Sequence, residues 1–114
     1  MSNQLFKDYL KEEEGLETII HPHGFASFRI QDVECYFAHL YVDPPHRHKG
    51  IGQKLGTVVE NIAKSRGCIV ISCNVFLNKA NKHSFAKRID NFNKFGFKIE
   101  ALYSTHALMT KEIS

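Results

Sequence analysis

The stretch DPPHRHKGIG at residues 43–52 decides how the chain folds and what it can bind. It follows an apolar, β-rich run over residues 34–42, and its two prolines end that run. Beyond it the apolar residues Leu55, Val59 and Ala63 recur at helical spacing. Residues 43–52 are therefore a turn from a strand into a helix, and the glycines at its end open that helix.

The segments on either side of this turn predict a mixed fold with three helices and six strands. A helical stripe near the N-terminus precedes an antiparallel meander, and later segments alternate between strand and helix. The predicted elements are a helix from about Leu5 to Glu14, strands 17–20, 25–30 and 34–42, a helix 50–67, a strand 68–76, a helix with Phe85 to Phe95, and strands 97–103 and 107–113. The class is α/β, or α+β in a stricter scheme, with helices packed on a mixed sheet and residues 1–114 forming one domain.

Composition excludes several classes of protein. Apolar residues make up 43% and charged residues 24%, as in ordinary folded domains. The net charge of +3 is too small to indicate nucleic-acid binding without a basic stripe. No segment has the length of a membrane span, and the N-terminus does not resemble a signal peptide, so we expect a cytoplasmic protein.

Cysteine and histidine spacings predict neither disulfides nor a metal site. Three cysteines, Cys35, Cys68 and Cys73, lie in apolar runs and are expected to be reduced core residues. The histidine pairs at 21/23 and 46/48 have no cysteine or carboxylate cluster at zinc-type spacing beside them. They are predicted to be turn and loop histidines.

The turn at residues 47–52 has the features of an anion site. The first N–H groups of a helix have no internal acceptor and lie at the positive end of its dipole, where phosphate oxygens bind. Gly50 and Gly52 leave room for such a ligand, while Arg47 and Lys49 add positive charge. A short glycine motif is also compatible with an ordinary turn, and the patterns GxGxxG and GxxxxGK[ST] are both absent.

Residues 40–44 and 47–52, followed by Leu55, Ala63 and Gly67, resemble the core of the GNAT acetyltransferase family, whose signature is Q/R-x-x-G-x-G/A. Residues 91–97 similarly resemble the Tyr-x-x-x-Gly-Phe helix end of that family. The resemblance covers residues 34–103. It implies a GNAT-like, mainly antiparallel sheet whose central parallel strands splay apart, and an enzyme that moves an acetyl group from acetyl-CoA to an amine.

The resemblance also implies where acetyl-CoA binds. The coenzyme would lie between the splayed strands 34–42 and 68–76, with its pantetheine arm paired to one strand and its pyrophosphate on the turn. A backbone N–H near Val42 would stabilise the oxyanion. The implied coenzyme-binding residues are Leu40, Tyr41, Val42, Arg47, His48, Lys49, Gly50, Ile51 and Gly52.

Three side chains are candidates for the general base, since a lysine-like amine is only about one part in two thousand neutral at pH 7. Strict alternation along strand 34–42 places Glu34 and Tyr36 on one face, with Ala38 and Leu40, and His39 on the other, with Cys35, Phe37 and Tyr41. A bulge would change this assignment. The family's usual base positions match 36 and 38. The candidates are His39, Tyr36 and Glu34, and His39 could instead be a structural strand histidine.

Two features depart from the family pattern. Phe92 occupies the position at which many members have a tyrosine that protonates the departing thiolate. Members usually also carry a strand and two helices ahead of the meander, where this chain has roughly one helix. We expect a shallow acceptor site that suits an exposed protein amine. The small size resembles phage acetyltransferases, including anti-CRISPR enzymes, for which the location would be the host cytoplasm.

Alternative functions remain open. Phe92 raises the possibility of a degenerate module that binds the coenzyme or a protein partner without turnover. A basic nucleic-acid binder is disfavoured, although cations recur near the last helix at Lys79, Lys82, Lys87, Arg88 and Lys94. Asn78, Asn81 and Ser84 precede that helix, and Asn81 or Ser84 is expected to cap it. The closing strands could offer an edge for a homodimer.

Overall fold

The chain folds into three α-helices and six strands within residues 3–77 and 82–114, the part that the computed structural model describes. The predicted number, type and order of elements agree with the structure, which is of the mixed α/β class. In chain order the elements are α1 (Asn3–Glu14), β1 (Glu17–His21), β2 (Gly24–Gln31), β3 (Glu34–Val42), α2 (Ile51–Ser65), β4 (Val70–Phe76), α3 (Lys82–Lys94), β5 (Lys98–Leu102) and β6 (His106–Glu112). A 3-10 turn, Pro44–His46, separates β3 from α2.

The strands form a single sheet in the order β1-β2-β3-β4-β6-β5. β3 and β4 pair in parallel, and the other neighbouring strands are antiparallel. Parallel pairing is confined to Glu34–Tyr36 against residues 70–72, after which the two strands separate. The predicted splay of the central strands is confirmed. β5 lies at one edge of the sheet, and this edge is the one that the predicted homodimer would use. Dimerisation itself stays a prediction.

Helices cover both faces of the sheet. On one face α2 buries Leu55, Val59 and Ala63, spaced four residues apart as the apolar face of a helix requires. α3 adds three partly buried residues to the same core, Phe85, Ile89 and Phe92. On the opposite face α1 packs Phe6 edge-on against Phe25 of β2, with ring centroids 5.0 Å apart. We name these two sides of the sheet the α2 face and the α1 face.

The core on the α2 face is built from large side chains that are almost fully excluded from solvent, including Phe28, Val59, Ile71, Val75 and Met109. The three cysteines are buried free thiols, as predicted. Burial raises the pKa of Cys35 and of Cys73 to about 12, because a thiolate loses its hydration in this apolar surrounding. Both thiols are thereby kept protonated and unreactive at neutral pH.

Some sequence predictions near α3 concern residues that the structure does not describe. Asn78, Lys79 and Asn81 lie outside the described residues. α3 begins at Lys82, so the prediction that Ser84 precedes the helix is wrong, because Ser84 already lies within its first turn. In the described part of the chain, every helix is too short or too polar to cross a lipid bilayer.

Candidate functional site

A cleft opens where β3 and β4 diverge. It has a volume of about 1360 Å³, and its walls come mainly from β3, β4, α2 and the second half of α3, with Phe25 of β2 and Lys111 of β6. Beyond Tyr36, the edge of β3 that faces β4 has no strand partner within the described residues. The cleft therefore exposes the backbone polar groups of β3 along one wall, where a ligand could pair with them.

The first turn of α2 closes one end of the cleft and has the geometry of an anion site. Gly50 caps the helix with φ 84°, and Lys54 N donates the first intrahelical bond to Gly50 O, at 3.1 Å. The N–H groups of Ile51, Gly52 and Gln53 therefore have no acceptor inside the helix. Apart from Gly50 and its two chain neighbours, no atom of the described residues lies within 4 Å of the place where a Cβ on Gly50 would be. This first turn is open to a phosphate group.

The loop before Gly50 is held in a bent conformation. His48 has φ 63°, an unusual value for a residue with a side chain, and its side chain lines the cleft. Arg47 turns back instead, since its Nε donates to Val42 O at 2.8 Å and its guanidinium lies 5.5 Å from the centroid of the Tyr41 ring. In this conformation Arg47 fastens the loop to the end of β3.

The predicted coenzyme residues fall into two groups. Five of them line the cleft, namely Leu40, Tyr41, His48, Gly50 and Gly52. The other four, Val42, Arg47, Lys49 and Ile51, are not part of its wall. For Ile51 this follows from the helix, because its side chain packs against the core while its N–H stays at the first turn.

A β-bulge at Ala38 changes which side chains of β3 share a face. Phe37 pairs with Phe28 and His39 pairs with Ser27, and these two partners are consecutive residues of β2. Ala38 is therefore the extra residue of the bulge and has no partner in β2. The prediction that His39 lies opposite Glu34 and Tyr36 is therefore wrong. His39 lies on their side, the α1 face.

The same bulge moves Leu40 to the α2 face. A Cβ on Gly52 of α2 would lie 3.7 Å from Leu40 Cδ2 and 3.9 Å from Val42 Cγ2. Leu40 therefore does not share a face with Glu34 and Tyr36, as strict alternation predicted, but packs beside the first turn of α2. The extra residue is the physical cause, because one added residue inverts the side-chain period for the rest of the strand.

Glu34 and Tyr36 are both engaged by residues of β4. Ser72 Oγ donates to Glu34 Oε1 at 3.1 Å, and Asn74 Nδ2 donates to Tyr36 Oη at 3.3 Å. The guanidinium of Arg29 also lies 5.3 Å from the centroid of the Tyr36 ring. Neither Glu34 nor Tyr36 lines the cleft, although Asn74 does.

His39 is the candidate base that lines the cleft. Its Nε2 lies 3.9 Å from Glu14 Oε1 at the end of α1, and about half of each side chain is exposed. An imidazole can accept a proton, and Glu14 lies where it can orient the ring. The bulge turns His39 to the α1 face, where it lies between the cleft and the end of α1.

Phe92 closes the cleft from α3 without supplying a hydroxyl. Its ring packs edge-on against Phe97, with centroids 5.3 Å apart, and both residues line the cleft. Asn91 and Arg88 lie on the same stretch of α3 and also reach the cleft. Arg88, one of the cations that recur near this helix, donates from Nη2 to Phe76 O at 2.6 Å and so ties α3 to the end of β4.

Sequence reasoning missed an ion pair in the cleft wall. Lys111 of β6 contacts Glu60 of α2, and both residues line the cleft. The hydrogen bond from Lys111 lowers the pKa of the Glu60 carboxyl, although partial burial opposes this shift. No local pattern indicates this pair, since the partners are far apart in the chain. Asn74 carried a usable signal, because it is an amide in an otherwise apolar strand.

Comparison with solved structures finds the same fold at low sequence identity. Nourseothricin acetyltransferase matches with a TM-score of 0.68 and 20% identity over 81% of this chain and 58% of the other. PaiA N-acetyltransferase from Thermoplasma acidophilum in complex with coenzyme A matches with a TM-score of 0.69 and 21% identity, covering 98% of this chain and 80% of the other. YncA from Salmonella typhimurium with its cofactor acetyl-CoA gives 0.70 and 20%, covering 98% and 73%.

Comparison with curated protein sequences finds no match. The sequence model of the Acetyltransferase (GNAT) family, in contrast, matches residues 6–97, most of the chain. The matched span contains β3 with its bulge, the first turn of α2 and Phe92. With the splayed strands and the open first turn of α2 already described, this match leads to one conclusion: the chain belongs to the GNAT family of acetyltransferases.

Proposed function

We propose that residues 1–114 form a single acetyltransferase domain that moves an acetyl group from acetyl-CoA to an amine. One observation supports this most strongly: the unpaired edge of β3 leads along the cleft directly to the open first turn of α2. An extended polar arm can pair with the first feature while an attached pyrophosphate binds the second. The edge of β3 and the first turn of α2 therefore follow each other in the same order as the arm and the pyrophosphate of such a ligand.

The residues present fit acetyl-CoA, which would supply the acetyl group as an activated thioester. The backbone of Leu40, Tyr41 and Val42 would pair with the pantetheine arm, and the amides of residues 48–52 would hold the pyrophosphate. Arg47 and Lys49 would contribute positive charge beside this turn, and Arg47 also fastens it to Val42 O. A backbone N–H near Val42 would stabilise negative charge on the carbonyl oxygen during transfer.

We assign the general base to His39, with Glu14 as the residue that positions it. Glu34 and Tyr36 lie on the same face, but Ser72 and Asn74 hold them outside the wall of the cleft. They could act on the amine through a water molecule. The amine would approach from the α1 face, since the phosphate-binding turn belongs to the α2 face.

For the acceptor we propose an exposed amine of a protein. The α1 face around His39 is open, because Arg29, Glu34 and His39 are all exposed. An amine at the surface of a large molecule can reach such a face, whereas a small molecule gains little burial there. Incubation with acetyl-CoA and candidate proteins, followed by mass spectrometry of the modified residues, tests this. Turnover on free polyamines but on no protein amine would contradict it.

The coenzyme site can be tested by calorimetric titration of acetyl-CoA into the wild type, Gly50→Glu and Gly50→Gln. Both substitutions carry the same backbone strain, since residue 50 has φ 84°, and they have nearly equal volumes. They differ in the carboxylate, which would repel the pyrophosphate. We expect micromolar binding by the wild type and a loss in Gly50→Glu at least tenfold larger than in Gly50→Gln. Equal affinities of the two variants would place the phosphate elsewhere.

A second candidate function is a binding module without turnover, and the observation that favours it is the phenylalanine at position 92. The two proposals differ in one measurement, the release of coenzyme A in the presence of amines. Binding of acetyl-CoA with no release on proteins, peptides or polyamines would select the module. Release that depends on an amine would select the enzyme.

A further inference from the structure

Two loops at the end of β3 bring together three side chains that could bind a metal ion. His23 lies in the turn between β1 and β2, while Asp43 directly precedes the 3-10 turn after β3 and His46 is the last residue of that turn. The rings of His23 and His46 stack with centroids 3.5 Å apart and planes 11° from parallel. His46 Nδ1 lies 2.6 Å from Asp43 Oδ1, and His23 Nδ1 lies 3.8 Å from Asp43 Oδ2. One potential ligand atom from each residue lies within 4.8 Å of the other two.

The backbone fixes the three residues relative to one another. Asp43 N donates to His23 O at 2.8 Å, and His46 N donates to Asp43 O at 3.0 Å. Next to the cluster, Gly24 pairs with Val42 in the sheet. Prolines at 22, 44 and 45 restrict the backbone of both loops. Because the backbones are already in place, binding a metal would cost little beyond the rotation of side chains.

We propose that His23, Asp43 and His46 form a binding site for one divalent transition-metal ion, with Zn²⁺ as the expected occupant. Two imidazoles and a carboxylate are donors that Zn²⁺ accepts, and water can complete a tetrahedral shell. Metal–ligand bonds of about 2.0–2.2 Å place the donor atoms roughly 3.3 Å apart, so the three atoms need to approach by at most about 1.5 Å.

A neutral imidazole binds a metal ion through the nitrogen that carries no proton. Nδ1 of His46 faces Asp43 Oδ1, so a proton held between these two atoms must leave Nδ1 before the metal binds there, and in a neutral ring it moves to Nε2. A metal ion lies close to the plane of each imidazole that binds it. One of the two stacked rings must therefore rotate about its Cβ–Cγ bond, and the stacking contact is given up.

Exposure and charge favour entry of a cation. The side chains of His23, Asp43 and His46 are 40%, 39% and 34% exposed, so solvent reaches the cluster from outside. The nearest cation along the chain, Arg47, is held on the carbonyl of Val42. The cluster thus offers one carboxyl group and two imidazoles to an entering cation.

Local spacing concealed this cluster. The sequence shows two histidine pairs without a carboxylate at zinc-type spacing, which predicted turn and loop histidines. The pairing of β2 with β3 instead brings His23 from the first pair next to His46 from the second pair, with Asp43 beside both. His21 is used differently, because its Nδ1 accepts a hydrogen bond from His23 N at 3.0 Å and so shapes the turn.

The test uses the untagged chain, freed of metal by chelation, and follows Co²⁺ by its visible absorption and Zn²⁺ by calorimetry. Variants His23→Ala and His46→Ala each remove one ligand. The matched control is His106→Ala, an imidazole that hydrogen-bonds Thr105 far from the cluster. Circular dichroism of each metal-free variant confirms that it remains folded.

We expect one equivalent of Zn²⁺ to bind to the wild type and to His106→Ala, with an intense tetrahedral Co²⁺ spectrum. His23→Ala and His46→Ala should each lose at least tenfold in affinity, and Asp43→Asn should also bind more weakly. Equal affinity in all variants, or binding that follows His106, would overturn the site. These readouts need no acetyl-CoA, so the result does not depend on the proposed enzymatic function.

Discussion

Lys111 Nζ lies 2.6 Å from Glu60 Oε1, so an ion pair joins the middle of α2 to β6 beside the cleft. Lys64, one helical turn along, adds a second contact at 3.3 Å to Glu60 Oε2. The Glu60 side chain is only 20% exposed and that of Lys111 only 27%, which makes this pair less screened than a surface ion pair. The pair holds one wall of the cleft to the sheet.

Lys111→Met should lower the free energy of unfolding by about 1 kcal/mol at pH 7, since it removes the charge and keeps the aliphatic contacts. The folded-state pKa of Glu60 is lowered, so the stabilisation is present above the unfolded value of about 4.3 and is lost as pH falls through the folded value. The difference from wild type should therefore shrink between pH 7 and about pH 3. Urea denaturation at both values measures it.

Lys98→Met is the matched control, because Lys98 is an exposed residue of the edge strand β5. It should change stability by no more than a few tenths of a kcal/mol at either pH. A pH-independent loss in Lys111→Met would mean that packing, rather than charge, accounts for the contact.

His39→Gln should reduce kcat by about 100-fold, because it removes the proposed proton acceptor while leaving the phosphate-binding turn intact. The dissociation constant for acetyl-CoA, measured by calorimetry, should stay within about twofold of wild type. Glu14→Gln should have a smaller effect, about fivefold, since Glu14 contacts only the imidazole. Full activity of His39→Gln would transfer the role of base to Glu34 or Tyr36.

Phe92→Tyr should raise kcat about tenfold, with little change in the KM for acetyl-CoA, because it restores a hydroxyl at the cleft wall where the thiolate would leave. Phe85→Tyr serves as the control, since Phe85 packs on the same core and does not line the cleft. Steady-state release of coenzyme A measures both variants. An unchanged kcat in Phe92→Tyr would indicate that the departing thiolate needs no such donor or receives its proton elsewhere.

Gly24→Ala should destabilise the fold by about 2 kcal/mol, because the added Cβ would collide with the carbonyl oxygen of Tyr41. Backbone atoms on both sides are held by the pairing of Gly24 with Val42, so neither can move away cheaply. Thermal unfolding followed by circular dichroism measures the change.

Gly56→Ala should have the opposite effect on stability in the same thermal unfolding assay. Its Cβ would meet no described atom within 4 Å, and alanine favours the helix, so stability should rise by about 0.5–1 kcal/mol. If Gly24→Ala were as stable as wild type, the close approach of the β1–β2 turn to β3 would not be a constraint on the fold.

The order of elements could be predicted because local signals mark it. Prolines 44 and 45 end β3, glycines bound α2, and the apolar period changes between them. The bulge at Ala38 could not be predicted, since β3 continues as an apolar run through it and only the pairing with β2 reveals the extra residue. The contact between Glu60 and Lys111 and the contacts within the histidine cluster could not be predicted for the same reason, because they join residues that are far apart in the sequence.

Ala38 is the one residue of β3 that has no partner in the antiparallel pairing with β2. Its main effect is on which of the later sequence positions face each side of the sheet, rather than on its own surroundings. Removing it would leave a regular ladder in which His39 still faces the α1 side and Leu40 the α2 side, because their partners Ser27 and Ala26 fix these faces. Among relatives, a gap of one position at this point would therefore keep the same side chains on the same faces, so the positions after it correspond by their pairing with β2 and not by simple alternation along the sequence.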